Sequence, residues 1–222
     1  SVDCGINAID EIEQINDLGM DIIVTDHHNP KEELPNAIAI INPKIKDCGY
    51  PYDMLAGVGV AYKLLVAVYS QLEKNTDELI DKYIDLVALG TIADIVPLTG
   101  ENRIIASLGL DRLVKKYNIG LNALIKLAGL SQKELNSADI VFGIAPRINA
   151  AGRMGSAMRA VELMVSVDEE ESDELAQIIE RENSLRQQID QRTFQEACDI
   201  IEKKYKNMDE TPIIVVSSDD WH

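Results

Sequence analysis

Asp21-Ile22-Ile23-Val24-Thr25-Asp26-His27-His28 is the stretch that decides the fold. A short β-branched run of this kind is the pattern of a buried parallel strand. Upstream, Ile9, Ile12 and Ile15, with Leu18 close by, recur at helical spacing over residues 6–18, and Gly19 ends that helix. Before it, residues 1–3 have the pattern of the last step of another strand. Downstream, residues 37–41 predict a third strand, closed by Asn42-Pro43. Strand, helix and strand within so few residues imply a right-handed βαβ unit. The expected fold class is therefore α/β, a parallel sheet with flanking helices.

From Gly57 onward the pattern turns helical. Residues 61–72, 77–89 and 102–116 each carry an apolar face, and 137–144 and 156–165 predict shorter helices. Residues 168–205 contain neither proline nor glycine and predict one helix of roughly 55 Å. A polar helix of that length bridges domains or pairs with a partner. Ile213-Ile214-Val215-Val216 then predicts a new buried strand. The expected organisation is a partial α/β domain over 1–166 with its first strand or strands missing, and a connecting helix over 167–207. The first strand of a truncated second domain would occupy 208–222. Both ends have the look of cuts through a larger protein.

Composition excludes several classes. Hydrophobic residues make up 46% and charged residues 27%, which fits a packed globular chain rather than a disordered one. No apolar run is long enough to span a bilayer, so no membrane partner is expected. The chain opens on Ser1 without a secretory-type segment. Cys4, Cys48 and Cys198 make no metal spacing and no disulfide framework, so a reducing cytoplasm is the expected setting. Asp and Glu number 38 against 21 Lys and Arg, a net charge of −17. Such a chain has no global attraction to nucleic acid, although a few well-placed arginines and metal ions can hold phosphate on an acidic protein.

Two of the three histidines, His27 and His28, are adjacent and follow Asp26 at the end of a predicted strand. In open parallel sheets, active residues gather at the carboxyl ends of strands. Asp3 sits at a second such end. Asp3, Asp26, His27 and His28 should therefore share one rim. Carboxylate with imidazole suits Mn²⁺, Zn²⁺ or Fe²⁺, with Mg²⁺ favouring the carboxylates. The alternative is that Asp26 caps a turn and both histidines are solvated. Adjacent residues on an extended chain point to opposite sides, so one histidine is expected to face the metal and the other the substrate. Arg147, Asn149 and Arg153 fall in an expected loop freed by Gly152 and Gly155, where two guanidinium forks suit a phosphate clamp. The alternative there is an arginine tied to a helix end. Gly57-Val58-Gly59 precedes a helix and suits either phosphate or a tight turn.

Residues 24–30, Val-Thr-Asp-His-His-Asn-Pro, resemble the signature of the DHH phosphoesterase superfamily. Val2-Asp3-Cys4-Gly5 resembles its second aspartate motif, and residues 86–98 its fourth, with Asp94 as ligand. Residues 55–63, 145–154 and the terminal Trp221-His222 narrow the resemblance to the RecJ type, exonucleases specific for single-stranded DNA. The resemblance implies a DHH-type domain and two-metal hydrolysis of phosphodiesters with Mn²⁺ or Mg²⁺. It implies a 5′→3′ exonuclease of repair and recombination, with single-stranded DNA and other repair proteins as partners. By the same resemblance Asp3 bridges the metals, and His27 and Asp94 ligate one of them. His28 contacts the phosphate, and Asp26 orients a histidine. Arg147, Asn149 and Arg153 lie near the strand. An Asp-x-Asp-x-Asp-Gly-type first motif and a glycine-rich DHHA1 domain are features of the type that this sequence does not contain, so its active site is expected to be incomplete. Other DHH phosphoesterases acting on short oligonucleotides or cyclic dinucleotides, and a non-catalytic scaffold of the same fold, are the alternative readings.

Overall fold

In the computed structural model the described residues are 3–115, 117–131, 134–205, 211 and 213–221. Helix α1 (Ile9–Asp17) buries Ile12 and ends as its sequence predicts. Gly19 takes a left-handed φ of 73°, its N–H donates to the carbonyl of Asn16, and that of Met20 donates to the carbonyl of Ile15. This paired closure satisfies carbonyls that the last turn would otherwise leave without partners.

Strand β1 (Ile23–Thr25) pairs in parallel with β2 (Ala39–Ile41), Val24 opposite Ile40. The βα-type order and parallel pairing are as expected, and the sheet has two strands among the described residues. Val24 and Thr25 are buried, whereas Ile23 and Ile38 are exposed. The strand expected at residues 1–3 falls largely outside the described residues. Ser1 and Val2 lie outside the described residues, and Cys4 meets Thr25 in a single antiparallel bridge. Asp3 is thereby delivered to the end of β1 from the side opposite β2.

Seven α-helices follow: α2 (Gly57–Gln71), α3 (Asp77–Ala93), α4 (Gly100–Val114), α5 (Ile119–Leu127), α6 (Ala145–Met154), α7 (Ala157–Val165) and α8 (Glu169–Lys204). One apolar core joins α2, α3 and α4 through Val60, Ile84, Val87 and Ile105. A second joins the C-terminal half of α3 to α5, α7 and α8 through Ile92, Leu124, Leu163 and Ile179. Helix α3 belongs to both cores, so its end, at Asp94, is fixed by packing on two sides.

Three expectations change. Residues 145–154 form helix α6, not a loop, and continue from a π-helical segment, Asp139–Ile144. Pro146 follows directly on the π-helical segment. Helix α5, which the sequence did not suggest, is capped by Asn118, whose side chain accepts from the N–H of Leu121. Residues 213–218 form no strand, and Ile213 and Val215 are exposed. A strand needs a neighbouring ladder for its backbone groups, and no described residue supplies one. Instead this segment turns back along α8. Tyr205 donates its hydroxyl to the carbonyl of Val215 (3.2 Å), and the Trp221 indole N–H donates to Glu196 (2.9 Å). Pro212 and His222 lie outside the described residues.

The long helix forms as predicted. Its 36 residues span about 54 Å at 1.5 Å each. Asp168 caps it, three glutamates fill its first turn, and Lys203 and Lys204 close it, each sign matched to the helix dipole. Its buried positions Ser172, Ala176, Ile179 and Asn183 all lie in the first half. No helix among the described residues is long and apolar enough to cross a membrane.

Candidate metal centre

Strand β1 ends at Thr25, and Asp26 takes over the path of the chain. Its carboxylate is buried and accepts four hydrogen bonds. Oδ2 takes the N–H of Ile6 (3.0 Å), and Oδ1 takes the N–H groups of His27 (2.7 Å) and His28 (3.1 Å) and the Nδ1–H of His28 (2.7 Å). Burial pushes the Asp26 pKa up, but the N–H donors of Ile6, His28 and His27 and the His28 ring outweigh it, and the net shift is downward. The chain therefore curls around Asp26 instead of continuing extended. That corrects the expectation of opposed histidines: the two rings lie 4.6 Å apart, tilted at 58°.

His27 is buried, and its Nδ1 lies 3.1 Å from the carbonyl oxygen of Leu55. A carbonyl only accepts, so Nδ1 carries the proton and the Nε2 lone pair is free. Nε2 points between two carboxylates, 3.4 Å from Asp3 Oδ1 and 3.5 Å from Asp94 Oδ2. It is buried and makes no hydrogen bond. A buried acceptor left bare between two carboxylates is a poor arrangement for a side chain alone and a good one for a cation ligand set. The backbone bond that fixes its tautomer is the usual support of a metal-binding imidazole. One donor atom each from Asp3, His27 and His28 lies within 4.8 Å of the others.

His28 is more than half exposed. The bond to Asp26 raises its pKa, burial works against this, and the charges of Asp26, Asp3 and Asp94 add to the rise. Asp94 follows the last turn of α3. Burial pushes its pKa up, with His27 opposing, Asp3 adding, and His28 and Lys44 opposing. Its side chain remains about one-third exposed (35%), so it is not the fully buried carboxylate its apolar neighbours suggest. The next residue, Ile95, takes a φ of 60°, a strained conformation for a β-branched side chain, and turns the chain sharply away.

Gly57 opens α2 directly beside Asp3. A Cβ built there would fall 2.0 Å from Asp3 Oδ1, so the glycine is a close-approach position for this carboxylate. Of the two readings of Gly57-Val58-Gly59, the tight-packing one describes Gly57. Asp3, Gly57, Asp94 and Asn149 line one cleft of about 560 Å³.

The three residues of the expected clamp separate. Asn149, exposed on α6, reaches the cleft. Arg153 is exposed and makes no ion pair with any described residue. Arg147 is engaged elsewhere: it donates to the carbonyl of Gly143 and forks onto the carboxylate of Glu180 on α8. Sequence reasoning missed two supports, the Leu55 carbonyl and the side chain of Asn42, which donates to the carbonyl of His28 (2.9 Å). Backbone acceptors leave no residue-type signal. Asn42, before a proline at a strand end, had one in its position.

Asp3, Asp26, His27 and His28, gathered at the end of this parallel strand pair, fall in the part of the chain that is similar to a known class of protein, the DHH family. Residues 1–91 match its model, described as the DHH family, N-terminal domain. The chain is similar to the single-stranded-DNA-specific exonuclease RecJ of Bacillus subtilis (strain 168), 44% identical over 218 residues, which cover 98% of this chain and 27% of that protein. It is also similar to RecJ of Haemophilus influenzae, 37% identical over 100% of this chain and 40% of that protein. Among solved structures it resembles exonuclease RecJ bound to manganese, with a TM-score of 0.77 and 34% identity, over 88% of this chain and 48% of the other. RecJ from Thermus thermophilus in complex with Mg²⁺ gives a TM-score of 0.66 at 33% identity, over 81% of this chain and 26% of the other. The chain thus spans 27% to 40% of the length of these two curated relatives.

Proposed function

We propose that this chain carries part of the active site of a metal-dependent 5′→3′ exonuclease that hydrolyses single-stranded DNA. Residues 1–166 form part of its catalytic domain, 167–207 the connecting helix and 208–222 the approach to a second domain. The observation that carries the reading is His27 Nε2, buried and without a hydrogen bond, between the carboxylates of Asp3 and Asp94. RecJ relatives with solved structures hold Mn²⁺ or Mg²⁺, and these donors fit either ion. Bound ions of this kind activate water and neutralise charge at phosphorus and at the leaving oxygen.

Asp3, His27 and Asp94 would hold the metal. Asp26 orients the His28 imidazole through Nδ1 and fixes the backbone of both histidines through their N–H groups. His28, with Nδ1 tied to Asp26 and a raised pKa, presents Nε2–H to a phosphoryl oxygen. Asn149 and Arg153 face the strand. Arg147 braces α6 against α8. Three free cysteines, two of them exposed, suit a reducing cytoplasm.

The test uses the intact protein and a 5′-phosphorylated single strand. Asp3→Ala and His27→Ala are each expected to abolish single-turnover cleavage and to lower bound Mn²⁺. Wild-type protein that leaves the strand uncut, or variants that keep full metal content, would overturn the reading.

A further inference from the structure

Among the described residues, six Lys or Arg side chains are drawn partly out of solvent: Lys44, Lys63, Arg112, Arg147, Arg159 and Arg186. Five are held by a carboxylate, from Glu101, Asp81, Glu180, Glu182 and Asp190 respectively after Lys44. Lys44 makes no ion pair with any described residue. That stands out in a chain where Asp and Glu outnumber Lys and Arg 38 to 21. Among these half-buried cations Lys44 alone is left without a carboxylate partner from the described residues.

The position of Lys44 says which anion would suit it. It follows Asn42-Pro43 just past β2, on the same rim as Asp26, His27 and His28. Asn42 is buried and ties the two loops together. Its amide donates to the carbonyl of His28, and its Oδ1 accepts the N–H of Lys44, each at 2.9 Å. Lys44 lines an open cavity of about 700 Å³ beside the His28 loop, with Asn29, Pro30, Asp53 and Met54. Asp53 shares that cavity without forming an ion pair with it.

We propose that Lys44 binds a backbone phosphate of the single strand held at the metal centre, on the side of the His28 loop. This rests on the nuclease reading above. An ammonium is a compact point charge with three donors, suited to one non-bridging oxygen. Coupling through Asn42 sets its distance from His28, so the two contact the strand as a unit.

The experiment compares the intact enzyme with Lys44→Met and Lys44→Arg. Single-turnover cleavage of a 5′-phosphorylated oligothymidylate is followed at several salt concentrations, alongside Mn²⁺ content. Lys44→Met is expected to raise the half-saturating strand concentration about tenfold and to lower the salt slope by roughly one unit or less, with Mn²⁺ content unchanged. Lys44→Arg, which keeps the charge, is expected to hold the wild-type slope. A wild-type slope and affinity in Lys44→Met would overturn the proposal, as would a parallel loss of Mn²⁺, which would make Lys44 a support of the centre. If wild-type enzyme neither binds nor cuts the strand, the nuclease reading fails and takes this inference with it. If wild-type enzyme does both and Lys44→Met matches it, the inference alone fails.

Discussion

At the scale of single residues, the site separates holding from contacting. His28 is tethered but outward-facing, so His28→Ala is expected to cut single-turnover rate by about 10²–10³-fold, the usual cost of losing one electrostatic stabiliser, while Mn²⁺ content stays near wild type. Gly57→Ala works the other way. The added methyl collides with Asp3 Oδ1, so metal affinity should fall although no ligand has been removed, and Mn²⁺ titration would show it. Asp85 offers a test away from the chemistry. It is buried on α3, with the N–H of Leu86 as its hydrogen-bond donor, and burial raises its pKa although Leu86 and the Arg112 charge pull it down. A carboxyl raised in the folded state holds its proton more tightly there, so it favours folding at low pH and opposes it increasingly as pH rises from about 4 through the folded value. Asp85→Asn should therefore stabilise the protein at pH 7, and the gain should fade toward pH 3. Thermal unfolding at the two pH values would measure it. Much at this scale was legible in the sequence, because Asp26, His27 and His28 are contiguous and close to a strand end. The closeness of the two imidazole rings was not, since it depends on how Asp26 folds back onto N–H groups of its own neighbours.

Helices show the opposite balance. Length and composition gave α8 almost to the residue, since 36 positions without proline or glycine leave few other options. Helix α6 was hidden because Pro146 and Gly152 are ordinary breakers, whereas here Pro146 follows directly on a π-helical segment and Gly152 sits in the last turn. Its recovery as a helix divides the two arginines. Arg147→Ala removes a fork onto Glu180 and a donor to Gly143, so it should lower thermal stability and leave the salt dependence of strand binding nearly unchanged. Arg153→Ala should do the reverse, lowering the salt slope by roughly one unit or less without destabilising the fold. A drop in slope for Arg147→Ala would restore it to the phosphate contacts.

For the molecule as a whole, three donors on one rim are few for two ions that each take about six ligands. Residues 1–222 alone are therefore expected to bind Mn²⁺ more weakly than the intact protein. Calorimetric titration that found two tight ions on the isolated segment would show the ligand set misassigned. The acidic balance also makes local neutralisation decisive: a strand approaching a surface of net −17 meets attraction only where cations are free, at positions such as Arg153 and Lys44. The clip of Trp221 onto Glu196 has an optical corollary. The chain contains a single tryptophan, so emission excited at the red edge, beyond the absorption of its seven tyrosines, originates at the outer half of α8. Breaking the clip with Glu196→Ala should red-shift that emission while the helical circular dichroism signal holds. The same fluorophore would then report, without any label, whether the distal end of the long helix loosens before the body that carries the metal centre.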